Sequence, residues 1–158
     1  MMQEPEPLPP LSQVRTQILA QHVGLRRRLA QLDELAAAVL AGQTELLMEL
    51  RRQTVDLELT LLAHLAFEEK HLLPRLVGID AWGGVRAAAM QADHARQRQV
   101  LSEAGDNATS AAQGPEALGK MVRALVADLL ADMDREEKDL LSPDLLRDDI
   151  VVIDQSDG

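Results

Sequence analysis

Several residue types are absent or rare in this chain of 158 residues. There is no cysteine, which excludes disulfide bonds, thiolate catalysis, and zinc or iron–sulfur sites with sulfur ligands. There is no tyrosine, and tryptophan and phenylalanine occur once each. Leu and Ala dominate the apolar residues instead, and both lose little side-chain freedom in a helix. The composition therefore predicts a single all-α domain.

Positive charge and long apolar runs are also scarce. The 16 Lys and Arg residues are outnumbered by 26 Asp and Glu residues, which gives a formal net charge of −10. Such a chain lacks the basic surface that binds nucleic acids and anionic membranes. No apolar run approaches the length that spans a membrane, and the N-terminus has no signal-peptide pattern. We therefore expect a cytoplasmic protein with no nucleic-acid and no membrane partner.

Prolines and apolar periodicity divide the chain into segments. Four of the seven prolines fall in the first ten residues, so we predict that residues 1–11 form a disordered or extended lead-in. Apolar residues then recur at helical spacing in four stretches. The four predicted helices span residues of about 12–41, 44–73, 81–103 and 115–141.

The connections between these stretches contain residues that are typical of helix ends. The candidate caps and stops are Ser12, Gly42, Thr44, Pro74 and Pro115. The longest predicted loop is Gly105–Gly114, which is small and polar. Short connections favour antiparallel neighbours, so residues 12–143 are predicted to form an up-down-up-down four-helix bundle. Residues 144–158 form an acidic tail, which we expect to pack on its own bundle, to join a homodimer contact, or to dock to a partner.

The second half of the predicted bundle repeats the first half. The segment His64-Leu-Ala-Phe-Glu-Glu-Lys-His-Leu-Leu aligns with Asp132-Met-Asp-Arg-Glu-Glu-Lys-Asp-Leu-Leu. Likewise Ala-Gln-His22 aligns with Ala-Asp-His94, and basic residues follow both. A bundle with pseudo-two-fold symmetry places such equivalent residues opposite each other around one centre.

Six polar residues stand among apolar neighbours on the predicted helices. Two histidines come from the first and third helices, and each of the other helices contributes two residues that are four apart and so share one face. Six polar groups in a bundle core are costly unless a partner satisfies them, and two metal ions would do so. The predicted metal ligands are His22, His64, Glu68, His94, Asp132 and Glu136.

The types of these residues narrow the choice of metal. Three imidazoles and three carboxylates without sulfur suit iron, manganese or zinc, and they suit magnesium or calcium poorly. If Glu68 and Glu136 bridge two octahedral ions, roughly three or four of about twelve coordination positions stay open for an oxo or hydroxo bridge and small ligands. Open positions are typical of a chemically active site.

A family resemblance rests on these same residues. The pattern is His64-x3-Glu68-Glu-x-x-Leu-Leu-Pro, with His22 upstream, His94 downstream and a second Glu-Glu-Lys-x-Leu-Leu block. Over about residues 12–143 it resembles the hemerythrin-like (HHE cation-binding) family. The resemblance implies a non-haem di-iron centre in a four-helix bundle. By position, it implies that the ligands include His22, His64, Glu68, His94 and Glu136.

Asp132 departs from the family pattern, which has a histidine four residues before the final glutamate. Aspartate can ligate iron, but extra anionic ligands stabilise the ferric state. We therefore discount reversible O2 carriage. We expect two oxo- or hydroxo-bridged iron ions in a protein that binds or senses O2, NO or peroxide, or that handles iron, with zinc or manganese as alternative metals.

Other interpretations stay open at this point. The chain also fits a regulatory or interaction module whose metal site is degenerate or loaded with zinc. A ferritin-like centre needs Glu-x-x-His on two helices, and Glu68-x-x-His71 supplies it only once. Catalytic removal of peroxide or superoxide is a third possibility, and no separate acid–base apparatus is evident, so the sequence leaves open whether the protein is an enzyme.

Neighbours of the predicted ligands have simpler expected roles. Glu69 and Glu137 point about 100° away from the ligands beside them, so we expect them on solvated faces. His71 is expected at a partly exposed helix end. The residues expected to pack in the core are Phe67, Met90, Met121 and Met133.

Overall fold

The computed structural model describes residues 3–148 of the chain. Its long helices are α1 (Leu11–Leu40), α2 (Leu47–His71), α3 (Gly83–Thr109) and α4 (Pro115–Asp139). A one-turn 3-10 helix, Thr44–Leu46, precedes α2, and a one-turn α-helix, Leu73–Leu76, follows it. Within the described range there is no β-strand. The prediction of an all-α fold is confirmed.

The four long helices pack as a ring of neighbours. Helix α1 packs against α2 and α4, and α3 packs against the same two helices from the other side. The connections are short, so successive helices run in opposite directions. This is the predicted up-down-up-down four-helix bundle.

The start of α1 differs from its predicted form. Pro10 occupies the N-cap position and provides no side-chain hydrogen bond, so Ser12 lies inside the helix and is not its cap. The amide nitrogen and hydroxyl of Ser12 instead bind the carboxylate of Asp148, at 2.9 and 2.5 Å. A contact with the far end of the described chain thus replaces the local cap that the sequence suggested.

The predicted loop Gly105–Gly114 is wrong over its first half, because α3 continues to Thr109. Arg51 of α2 provides the reason. Its Nη1 atom donates to the carbonyl oxygens of Ala108 and Ser110, both at 2.9 Å, and so satisfies groups at the helix end. Tertiary hydrogen bonds therefore extend a helix through small polar residues that favour a loop on their own.

The core consists of two apolar clusters. The larger one fills the bundle from the end of α1 to the middle, and includes Leu25, Leu61, Leu65, Leu101, Leu129 and Met133. The smaller one closes the other end, and includes Leu11, Ile18, Leu72, Leu76, Met90 and Leu141. On each long helix the predicted metal ligands lie at the end of the larger cluster that faces the smaller one. The bundle therefore contains one polar layer between two apolar ones.

The beginning of the acidic tail belongs to the smaller cluster. Leu146 is buried in it, and Leu145 packs against it. The apolar stretch Ile150–Ile153, for which packing or docking was predicted, lies outside the described residues. No helix in the described part of the chain is long and apolar enough to cross a membrane.

Candidate metal centre

The polar layer is formed by side chains that each helix presents to the bundle axis. On α1, His22 follows Ile18 by four residues and precedes Leu25 by three, so all three share the buried face. On α3, Met90 and His94 are related in the same way. The apolar periodicity that builds the core therefore also turns the predicted ligands inward.

All six predicted ligands lie in or beside this layer. His22, His64, Glu68 and His94 are buried. The side chains of Asp132 and Glu136 on α4 are 10% and 14% exposed. Imidazoles and carboxylates are rarely buried this deeply without a partner.

Four of the six ligands form one compact group. His22, His64, Glu68 and Glu136 each offer one ligand atom, and these atoms all lie within 4.8 Å of one another. Nε2 of His22 is 3.1 Å from Oε1 of Glu136, and Nε2 of His64 contacts Oε1 of Glu68. Such a set of two nitrogens and two oxygens can hold a cation.

The other two ligands adjoin this group. Nε2 of His94 is 4.0 Å from Oε2 of Glu68. Asp132 lies outside the compact group, and its Oδ1 atom binds two arginines. Its Oδ2 atom is buried and finds no hydrogen-bond partner in the described part of the chain. The structure thus gathers four predicted ligands tightly and sets His94 beside Glu68 and Asp132 at the edge of the layer.

The layer also contains polar atoms that the protein leaves unsatisfied. Across residues 3–148, seven buried side-chain nitrogen and oxygen atoms make no hydrogen bond of good geometry, although six of them lie within 4.0 Å of another imidazole nitrogen or carboxylate oxygen. All seven belong to five predicted ligands, namely His22, Glu68, His94, Asp132 and Glu136. A buried polar atom without a partner costs about 1–3 kcal/mol, so a cluster of them requires a further group. Metal ions fit this donor set.

Burial and mutual charge shift the pKa values in the layer. Burial, together with the charge of Glu136, raises the pKa of Glu68 well above its usual value. Burial is the largest single influence on Glu136 and raises its pKa, but hydrogen bonds from His22 and Glu68 and the charges of His22 and His64 together lower it below its usual value. Burial lowers the pKa of His64 to about 4, so this imidazole is neutral at ordinary pH. A neutral imidazole is the form that binds a metal ion, whereas Glu68 would release its proton on binding one.

Two of the histidines have a hydrogen-bond acceptor behind them. Nδ1 of His64 lies 2.6 Å from Oε1 of Gln21, and Nδ1 of His94 lies 3.0 Å from Oε2 of Glu69. These oxygens accept a hydrogen bond from the N–H at Nδ1, so Nε2 keeps its lone pair and points toward the layer. Glu69 is itself bound through both oxygens by Arg98, at 2.6 and 2.5 Å.

The other half of the bundle contains a matching arrangement. Oε2 of Glu137 is 3.7 Å from Nδ1 of His22, and Arg26 binds both oxygens of Glu137. Glu69 and Glu137 therefore lie behind the histidines, with their side chains 30% and 26% exposed. The expectation that they lie on solvated faces holds only in part, because it missed these contacts. A sequence signal existed: an arginine follows His22 and His94 by four residues, within the internal repeat.

A comparison with protein-family models identifies the family of this bundle. Residues 14–142 match the hemerythrin HHE cation-binding domain. The chain belongs to this family. Searches for similar curated proteins and for similar solved structures gave no significant match.

The remaining side chains near the centre of this HHE domain pack as predicted. His71 ends α2, is partly exposed and stacks on Phe67 with ring centroids 4.5 Å apart. It is not in the compact group, which removes the support for a ferritin-like Glu-x-x-His pair. Met90 and Met133 are buried, while Phe67 and Met121 are partly buried against the clusters.

Two cavities reach the layer of the HHE domain from the surface. One, of about 490 Å³, is lined by His94, Asp132 and Glu136 together with outer residues such as Arg135. The other, of about 360 Å³, is lined by His64 with Phe67 and other mainly apolar groups. Both are large enough to hold a molecule of two or three atoms next to the layer.

Proposed function

We propose that this HHE domain holds a dinuclear metal centre, with two iron ions, and that it binds or senses a small ligand such as O2, NO or peroxide, or handles iron. The single observation that carries the proposal is the set of seven unsatisfied buried atoms, all from predicted ligands in one layer. The family match, which is to a cation-binding domain, supports the same conclusion.

The six ligands divide between the two ions along the internal repeat. His22 and His64 serve one ion, and His94 and Asp132 serve the other. Glu68 contacts histidines of both sets, which supports a bridging role for it. Glu136 is the equivalent residue of the repeat, and we assign it the same role.

The protein residues tune the site in three ways. Gln21 and Glu69 fix the orientation of their histidines, and the two apolar clusters exclude bulk water from the layer. The two cavities give access to small molecules. Iron ions at this site would supply electron transfer and open coordination positions, and three carboxylate ligands favour the ferric state. We therefore favour a redox or sensing role over reversible O2 carriage.

A second candidate function rests on the compact group alone. Four ligand atoms within 4.8 Å are sufficient to hold a single ion, and two histidines with two carboxylates suit zinc. The domain would then be a regulatory or interaction module whose activity lies on its surface. Metal stoichiometry separates this candidate from the dinuclear one.

The test of the proposed function is the metal content of two variants. Glu68→Ala and Glu136→Ala each remove a bridging carboxylate, so we expect both to lose most of the metal that the wild-type protein retains after dialysis. His71→Ala is the matched control, since His71 lies outside the compact group, and it should keep the wild-type content. Full metal retention in both glutamate variants would contradict the assignment of Glu68 and Glu136 as metal ligands.

A further inference from the structure

Asp132 is surrounded differently from every other predicted ligand. Its Oδ1 atom accepts a hydrogen bond from Nη2 of Arg96 at 2.7 Å and another from Nη2 of Arg135 at 2.8 Å. Its Oδ2 atom is buried and has no hydrogen-bond partner among residues 3–148. One carboxylate oxygen is therefore held by two guanidinium groups, and the other is left available on the buried side.

The internal repeat shows that this environment suits a carboxylate. Asp132 aligns with His64, whose Nδ1 faces the amide oxygen of Gln21, an acceptor. An acceptor suits an imidazole N–H, whereas a carboxylate needs donors. Arg135 supplies such a donor, and the residue aligned with it in the first half is Phe67, which has none. The residues around Asp132 thus complement an ionised aspartate, which argues against a ligand position that has merely been lost.

We propose that Arg96 and Arg135 are positioning residues of the metal centre, which hold Asp132 so that Oδ2 serves as a ligand of the ion bound by His94. This inference rests on the proposed function, because it concerns the second of the two ions. It makes Asp132 a ligand through one oxygen only, since both donors occupy the other. It also makes two surface arginines, one on α3 and one on α4, part of the metal site.

The charge of the arginines and their hydrogen bonds to Asp132 predict opposite effects on metal affinity when the arginines are removed. Two guanidinium charges near a cation repel it, so removing them should strengthen metal binding if charge alone mattered. Loss of the hydrogen bonds releases Asp132 to rotate, which weakens binding. A fall in affinity on removing the arginines therefore reports positioning, and a rise reports simple repulsion.

The experiment is a titration of metal-free full-length protein with Co2+, whose visible absorption reports its ligand geometry. We compare the wild type with Arg96→Gln, Arg135→Gln and the double variant. Arg86→Gln is the matched control, because Arg86 lines the same cavity but binds Asp80 at 2.7 Å. We expect the double variant to bind the first ion normally and the second about 10- to 100-fold more weakly, in the range found for outer partners of metal ligands.

Two further measurements exclude a purely structural effect. Thermal unfolding of the metal-free variants should stay close to that of the wild type, because both arginines are about half exposed. Arg135→Lys keeps the positive charge but lacks the planar guanidinium group. Its affinity for the second ion should therefore lie between those of Arg135→Gln and the wild type. If a glutamine variant fails to fold, the corresponding lysine variant carries the comparison.

The outcomes separate this inference from the proposed function. Unchanged or tighter binding of the second ion in the double variant overturns the role of the arginines while leaving the dinuclear centre intact. Uptake of at most one ion by the wild type overturns the dinuclear proposal, and the inference with it. Weaker second-ion binding together with an altered cobalt spectrum supports both.

Discussion

At the scale of single residues, Glu68 shows how a proposed ligand position opposes the stability of the metal-free fold. It is fully buried next to Glu136, another carboxyl group, and its pKa is raised well above the usual value of 4.5. Two adjacent buried carboxylates repel each other, so the metal-free protein retains a proton on Glu68 that a metal ion displaces. The position is suited to binding a cation and costs stability without one.

We therefore predict that Glu68→Gln stabilises the metal-free protein at neutral pH. A raised folded-state pKa means that the contribution of Glu68 to stability is fully present below about pH 4.5 and is lost as the pH rises through the folded pKa. Gln keeps the shape and cannot ionise. The advantage of the variant should grow by up to about 1.4 kcal/mol per pH unit, and level off at the pKa of Glu68.

Urea unfolding of chelator-treated protein at several pH values between 5 and 8 measures this difference. Glu45→Gln, at an exposed position before α2, is the control. The difference between its unfolding free energy and that of the wild type should not change with pH. In metal-loaded protein we expect the opposite result, with Glu68→Gln less stable than the wild type, because Gln is a poor metal ligand. A metal-free Glu68→Gln protein that is less stable than the wild type at every pH would contradict the argument.

Glu69 and Glu137 lead to a graded prediction about metal affinity. Glu69 accepts a hydrogen bond from His94 at 3.0 Å, whereas Glu137 is 3.7 Å from His22, too far for a good hydrogen bond. We expect Glu69→Ala to weaken metal binding about 10- to 100-fold and Glu137→Ala to weaken it less.

Competition with a chelator of known affinity measures both variants. Arg98 lowers the pKa of Glu69 to about 2, so this carboxylate is ionised throughout the usual pH range and its effect should not depend on pH between 6 and 8. Equal affinities for the two variants and the wild type would show that these glutamates do not tune the histidines.

The sequence predicted the inward residues of this site better than their outer partners. Spacing of four on a helix is sufficient to put His64 and Glu68 on one face, whatever the neighbouring helix does. The role of Glu69 depends on His94 and Arg98, which belong to another helix. Helical spacing alone does not predict contacts between helices. The one indication in the sequence is that Arg26 and Arg98 stand at equivalent positions of the internal repeat.

At the scale of elements, one side chain fixes the end of α3. Arg51 of α2 donates hydrogen bonds to the carbonyl oxygens of Ala108 and Ser110, and it also binds that of Gln113 in the loop. We predict that Arg51→Ala destabilises the protein by about 1–3 kcal/mol and frays the last turn of α3.

Hydrogen exchange at residues 105–109, together with urea unfolding, measures this effect. Arg52→Ala is the matched control, because the side chain of Arg52 is 60% exposed and binds only carboxylates of its own helix. The control should change stability by less than about 0.5 kcal/mol. Equal effects of the two variants would show that the tertiary hydrogen bonds of Arg51 do not hold the helix end.

Helix boundaries could be predicted only where local residues determine them. Pro115 begins α4 as its fixed backbone angle suggests, and Gly42 follows α1 with a φ of 105°, a conformation that favours glycine. The start of α1 and the end of α3 depend instead on Asp148 and Arg51, which are distant in sequence. Local residues therefore predicted the start of α1 to within one residue but not its cap, and they missed the end of α3.

At the scale of the whole molecule, the bundle is a layered structure with a polar centre. The larger and smaller apolar clusters account for the fold, and the layer between them accounts for the unsatisfied atoms. Composition and periodicity were sufficient to predict the bundle, since a chain so rich in Leu and Ala has few other ways to bury its apolar faces. The number of ions depends on the exact geometry of Asp132, which the sequence cannot supply.

The measurement that tests the central claim most directly is the metal content of anaerobically purified protein, combined with its optical spectrum before and after exposure to air and to peroxide. The account predicts about two iron ions per chain, as in other carboxylate-bridged bundles, and a near-ultraviolet absorption that changes with either oxidant. Zinc alone, or at most one ion with no spectral response, would contradict this account. It would indicate instead that this HHE domain acts through its surface as an interaction module.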